Sequence, residues 1–358
     1  MGFTKVKFMP YMNFYLDNIN KNENEVHILY WNRDLQSEDL TKYENCTFHE
    51  FACYQEDDVS KFAKIVPFAK YRKFAKKVIN SENFDFIFVL HSIPGVLVAD
   101  ILKKRYKNKY VLDYRDYTYE SLPPFKNIVA EITENSYATF VSSDAFRKFL
   151  PQNCEEKIYT SHNILKESLE HREDKELYGE KSDKIRVVSW GFIRYEEVNS
   201  EIIKKLANDQ RFELHYYGRE QQIAANLKAL TSEIGAKNIF FHGEYQPEDR
   251  YDFVRKTDIL HNIYYDNNAM FAISNKYYDG IIFKIPQICM QGAFMATKAE
   301  EGKVGMAANP FEDDFAEKLY SYYTSTEKQE FYENCDRELE RVIKEYDKGI
   351  EVIQSISK

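Results

Sequence analysis

Strand-length apolar runs alternate with helix-length amphipathic segments along nearly the whole chain, and the alternation begins twice. In the first half, "EVHILYW" (25–31), "FDFIFVL" (84–90), "KYVLDY" (109–114), "YATFVS" (137–142) and "KIYTS" (157–161) read as strands. Helical segments lie between them at 61–79, broken near Pro67, and at 95–107. Near-continuous apolar strands joined by helices predict a parallel sheet with both faces covered. Only "MGFTKVKFMPYM" precedes the first helix-like segment. The opening strand of a doubly wound unit is therefore either abbreviated or entered part-way.

The pattern lapses at 165–183, an almost wholly charged stretch, and then restarts. Strands are predicted at 184–190, 212–218, 238–243, 258–265 and 285–290, with helices at 198–208, 219–235 and 247–257. The charged stretch reads as an interdomain connection or as a solvated helix inside one domain. The expected fold is α/β: two Rossmann-like, doubly wound parallel-sheet domains facing across a cleft. Ligands would lie beyond the carboxyl ends of the strands. The expected divisions are 1–165, a linker at 166–183, a second domain at 184–335, and a helix at 336–358 that returns to the first domain.

Composition narrows the class. Of 358 residues, 44% are hydrophobic and 30% charged, a soluble globular balance. No apolar run reaches the roughly 18 residues of a membrane span, and the N-terminus lacks a signal-peptide pattern. The cysteines at 46, 53, 154, 289 and 335 are scattered and odd in number, which points to reduced thiols and, with the rest, to the cytoplasm. A net charge of −9 argues against nucleic acid as a partner. Residues 61–110 nevertheless hold twelve Lys/Arg against three Asp/Glu. The chain has no G-x-G-x-x-G, G-x-x-x-x-G-K-[ST], G-x-S-x-G or H-E-x-x-H. Dehydrogenase, P-loop, serine-hydrolase and zincin chemistry are disfavoured accordingly.

The stretch "ISNKYYDGIIFKIPQIC" (273–289) places polar and charged residues just before a buried-looking strand. If a helix starts at Asn275, its free N–H groups suit a phosphate, and Lys276 adds a point charge for a diphosphate. Asp279, one turn on, falls on the same side and could accept hydrogen bonds from ribose hydroxyls. The plainer reading makes Ser274 or Asn275 a helix cap and leaves Lys276 and Asp279 solvated.

Together with "KYVLDYRDYTYES" (109–121), "FVSSDAFRKFLP", "KIYTSHNI", "VVSWGFIRYEEVN" and "IFFHGEYQPEDRYDFVRKTDI", this stretch resembles the ordered motifs of GT-B retaining glycosyltransferases. The resemblance is to the branch that builds capsular and exopolysaccharides. It implies a nucleotide-diphosphate sugar, most often UDP-linked, as donor, and a lipid-linked sugar or growing glycan as acceptor, with no metal or other cofactor. Gly191, Arg194, Asn275, Lys276 and Asp279 would bind the donor. Arg194 would neutralise the leaving diphosphate. His91 and Asp116 fall at strand ends as further catalytic candidates. Arg115, Asp116 and Glu120 are candidates for the acceptor. For His91, Asp116 and Glu120, structural roles as a bonded histidine, a loop cap and a solvated carboxylate stay equally open. The chain departs from the pattern at Asp279, usually Glu, at Phe271, where many relatives carry Glu, at Lys284 for Gly, and at Arg115, where many carry a sugar-contacting His.

Residues 60–79 contain seven Lys/Arg and no acid, with Phe62, Ile65, Phe74 and Val78 at near-helical spacing. Such a segment suits an anionic membrane surface, here the inner face of the cell membrane, or serves as an ordinary helix covering the sheet. The departures keep a second class open, a catalytically silent GT-B subunit that binds a glycan or stabilises a partner transferase.

Overall fold

The computed structural model describes residues 1–56, 61–174, 177 and 182–356. The chain divides into two units, Met1–His162 with Lys344–Lys358, and Asn163–Ile343.

In the first unit β1 (Val26–Asn32) and β2 (Cys46–Ala52) pair in parallel, and β3 (Ile87–Leu90), β4 (Tyr110–Tyr114), β5 (Ala138–Val141) and β6 (Ile158–Thr160) form a four-stranded parallel sheet. Met1 and Gly2 join the two sets. Gly2 N–H donates to the Leu29 carbonyl at 2.8 Å and Leu90 N–H donates to the Met1 carbonyl at 2.9 Å. Met1 and Gly2 thus link β1 to β3 through backbone hydrogen bonds. The helix Ile65–Ser81 turns Tyr71, Ala75, Val78 and Ile79 into the core at helical spacing. Pro67 does not break it. The residue falls in the first turn, where a missing N–H leaves no helical bond unmade. Ser60, named in the basic segment, lies outside the described residues.

The second unit holds one six-stranded parallel sheet: β7 (Ile185–Trp190), β8 (Phe212–Tyr217), β9 (Ile239–Phe241), β10 (Ile259–Asn262), β11 (Gln287–Met290) and β12 (Gly305–Ala308). Their spatial order is β12-β11-β10-β7-β8-β9. Sequential strands run outward from β7 and then from β10, so the order reverses between these two neighbours. Apolar residues from both faces pack beneath flanking helices, with Leu206, Leu214 and Leu227 on one side and Tyr277, Ile281 and Val342 on the other.

The segment expected as a linker contains a helix, Lys166–Glu170, and sends Leu169 and Leu177 into the second unit's apolar core. Residues 175, 176 and 178–181 of that segment lie outside the described residues. The last helix begins at Lys328 and runs to Ile356. Its early residues Phe331, Cys335, Leu339 and Val342 belong to the second unit's core, and Tyr346, Ile350 and Ile353 to the first unit's. All five cysteines are free. Among the described residues no helix is long and apolar enough to cross a membrane.

Candidate active site

Gly191 and Gly218 terminate β7 and β8 with φ of 105° and 144°, values that L side chains rarely adopt. The two turns touch: a Cβ on Gly218 would stand 1.6 Å from the Gly191 carbonyl oxygen. Gly191 N–H donates to the Tyr217 carbonyl at 2.9 Å, and Gly218 N–H to the Gly243 carbonyl at 2.7 Å. Beyond these carboxyl ends lies a cavity of about 810 Å³, whose walls include Gly191, Phe192, Arg219, Tyr245, Arg250 and Asn275.

The predicted helix starts where expected, at Asn275, and runs to Ile282. Ser274 occupies the N-cap position but makes no side-chain cap bond. Its hydroxyl instead donates to Asn262 Oδ1 at 2.7 Å, tying the helix start to the end of β10. The simple capping role is therefore not what Ser274 performs. The positive end of the helix dipole is left beside the cavity, where Asn275 forms part of the wall.

Lys276 is partly buried and reaches back to the β7 turn. A Cβ on Gly191 would stand 2.9 Å from its Nζ, which also donates to Asn275 Oδ1 at 3.1 Å. Burial lowers the Lys276 pKa to about 8; Asp279 opposes the fall, and Arg194 and Arg250 add to it. Arg194 is exposed, its guanidinium 4.7 Å from the Phe192 ring centroid. Phe192 also lies 5.9 Å from the Arg219 guanidinium. The structure thus brings Gly191, Arg194, Asn275 and Lys276 into one neighbourhood.

Asp279 is placed differently from the expectation. It is 2% exposed and lies among Ser168, Trp190 and Arg250. Oδ1 accepts from Ser168 Oγ at 3.1 Å and Oδ2 from Trp190 Nε1 at 3.2 Å, with Arg250 Nη1 3.8 Å away. Burial raises its pKa, against the opposing effects of Arg250 and Trp190. A direct hold on ribose hydroxyls does not follow from this placement, because the short side chain keeps both oxygens among protein donors.

Two wall residues escaped sequence reasoning. Arg219 directly follows the glycine that ends β8, so the strand-end rule could have found it. Arg250 shares a face with Phe253 and Val254 in the helix Arg250–Val254. A guanidinium on an otherwise buried apolar face was the available signal.

In the first unit, His91 follows β3 with φ 98° and ψ 150°, a strained backbone for a non-glycine residue. Its Nδ1 accepts from Ile93 N–H at 3.3 Å. The remaining nitrogen, Nε2, lies 3.2 Å from Asp116 Oδ2 and is then the donor. Burial alone would raise the Asp116 pKa, but the bond from His91 holds it below the ordinary value. The structure brings these two candidates together at the ends of β3 and β4.

Arg115 and Glu120, the other acceptor candidates, are both buried. Arg115 is buried, with Nε 2.8 Å from Asp113 Oδ1, Nη2 2.9 Å from Ser161 Oγ, and its guanidinium 4.1 Å from the Tyr11 ring centroid. Asp113 also accepts from the Tyr15 hydroxyl at 2.6 Å. Arg115 Nε and Nη2 thus face protein oxygens inside the first unit. Glu120 is buried and accepts from Thr118 N–H, which makes it a brace for its own loop. Among the described residues no group of three or more His, Cys, Asp or Glu is arranged to hold a metal.

No family model matches the sequence, and no curated protein does. Solved structures do. A glycosyltransferase from Rickettsia africae ESF-5 is similar with a TM-score of 0.65 and 14% identity, over 100% of this chain and 98% of that one. HepE from Anabaena, solved in complex with UDP, gives 0.67 and 12%, over 99% and 98%. Sucrose-phosphate synthase from Thermosynechococcus elongatus gives 0.65 and 10%, over 100% and 94%. The fold is GT-B. In this GT-B chain the glycine turns, Lys276 and the uncapped helix all belong to the six-stranded unit, at the carboxyl side of its sheet.

Proposed function

We propose that the protein is a metal-independent glycosyltransferase that takes a sugar from a nucleotide-diphosphate donor, a UDP-sugar, with retention of configuration. The observation that carries this is the gathering of Lys276, the Gly191 turn and the uncapped start of the helix Asn275–Ile282 beside one cavity. Lys276 and the helix start supply positive potential at one point, and the Gly191 turn, without a side chain, leaves room beside them, which suits a diphosphate. Its charge grows as the bond from sugar C1 to the diphosphate oxygen breaks, so cations fixed in advance lower the barrier. Arg194 adds an exposed guanidinium to the set. Asp279 acts indirectly, by holding Arg250 and Trp190. HepE, which shares the fold, has been solved with UDP, UDP-glucose, and UDP with glucose.

In the first unit His91 and Asp116 serve the acceptor, a lipid-linked sugar or growing glycan of capsule or exopolysaccharide synthesis. The lowered pKa of Asp116 suits a hydrogen-bond acceptor that orients the attacking hydroxyl better than a proton store. The proton then passes to the departing diphosphate, whose terminal phosphate is the stronger base. The basic helix Ile65–Ser81 gives the first unit an anionic-membrane face at the cytoplasmic surface.

The inward commitment of Arg115 and Asp279 favours one second reading, a catalytically silent subunit. A thermal-shift panel of nucleoside diphosphates and their sugars, followed by a UDP-release assay, separates the two. Transfer predicts that UDP and a UDP-sugar raise Tm and that UDP is released. A protein stabilised by none of them is silent or is no glycosyltransferase.

A further inference from the structure

We propose that Arg250 is a further donor-binding residue, one that holds a phosphate oxygen of the nucleoside diphosphate. This rests on the diphosphate reading above and names a contact that the sequence motifs did not assign.

Arg250 is 8% exposed and forms part of the wall of the 810 Å³ cavity. Its guanidinium offers five N–H donors in a rigid fork. Nη2 donates to Ser168 Oγ at 2.9 Å and to the Tyr251 hydroxyl at 3.3 Å, and Nη1 lies 3.8 Å from Asp279 Oδ2. Nε is buried and has no acceptor among the described residues. A buried donor without a partner is rare in native proteins and marks a missing acceptor. One carboxylate at 3.8 Å and two hydroxyls do not complete this guanidinium's bonding.

Position supports the same assignment. Arg250 and Arg194 are close enough to Lys276 to act on its ammonium electrostatically. Two guanidinium groups acting on one ammonium, with the buried Asp279 carboxylate beside Arg250, are best satisfied by an added anion. Ser168 and Asp279 hold the guanidinium at that wall before any ligand arrives. Orientation in advance is the advantage of an arginine fork over a lysine for phosphate. The neighbouring acids Glu167, Glu244 and Glu248 would make a bare anion less welcome than one carried by a nucleoside that brings its own contacts.

The test is calorimetric titration of the full chain with UDP and, separately, with uridine, for wild type, Arg250→Gln and Arg250→Lys. Arg250→Gln should lose about tenfold to a hundredfold in UDP affinity while uridine binding is unchanged, because a charge-assisted bond to phosphate is removed. Arg250→Lys keeps the charge opposite Asp279 and should still fall short of wild type for UDP. Variants that match wild type for UDP would overturn the assignment, as would equal losses for UDP and uridine, which mark a structural role. Wild-type protein that binds neither UDP nor inorganic pyrophosphate would instead remove the diphosphate reading itself.

Discussion

The ammonium of Lys276 lies against the Cα of Gly191, where a single added methyl would meet it at 2.9 Å. Sequence positions 85 apart are joined because the β7 turn and the helix after β10 flank the point where strand order reverses. Gly191→Ala should strain a backbone at φ 105° and displace Lys276 together. We expect a stability loss of about 1–3 kcal/mol, with UDP affinity reduced further than that loss explains. Denaturant melts and calorimetry on one preparation measure both. The companion change Gly218→Ala, whose Cβ would overlap the Gly191 carbonyl, should be worse for stability.

Lys276 also sets a pH dependence. Burial lowers its folded pKa to about 8 from the ordinary 10.5 of a lysine. The folded state therefore binds fewer protons than the unfolded one between those limits, and stability contributed by this group rises with pH across that window. Donor binding runs the other way. The charged ammonium is lost as pH rises through about 8, so UDP affinity should fall above that pH. Titrations in buffers of different ionisation enthalpy should show proton uptake on UDP binding near pH 8. The absence of uptake would mean that Lys276 does not meet the anion.

Asp113 and Asp116 stand three residues apart and should behave oppositely. Asp113→Ala removes one partner of the buried pair with Arg115 and should cost about 3–5 kcal/mol, read from the denaturation midpoint. Asp116→Asn should leave stability and UDP binding near wild type and lower turnover by about a hundredfold. Equal turnover in wild type and Asp116→Asn would remove Asp116 from the acceptor site.

The helix Ile65–Ser81 should bind anionic vesicles. Lys70, Arg72, Lys73 and Lys77 are exposed, as are Ile65 at 59% and Val66 at 61%. Co-sedimentation with phosphatidylserine vesicles at low salt should weaken in Lys70→Glu/Lys73→Glu and with added salt. Equal recovery on neutral vesicles would show that charge plays no part.

The parallel sheets were legible because their central strands are apolar on both faces, as in "FDFIFVL" and "KIRVVSW". β2 was not, since its Thr47, His49 and Glu50 belong to an edge strand that water partly reaches. Nor was β12, whose "GMAA" is short and weakly apolar. The start of the helix at Asn275 and the position of Lys276 followed from residue type and spacing. The inward turn of Arg115 could not, because it depends on Asp113 and Ser161 meeting it from β4 and from just past β6. The partners of Asp279 were hidden for a related reason: spacing assigns a side chain to a face, but only packing shows Ser168 and Trp190 donating to its oxygens.

The central claim is that Lys276 holds the donor diphosphate in the second unit. Calorimetric titration of UDP into wild type and Lys276→Ala at pH 7 tests it most directly. The account predicts saturable binding to wild type and at least about a tenfold weaker affinity in the variant, with Tm little changed. Equal affinity in the two proteins would contradict it.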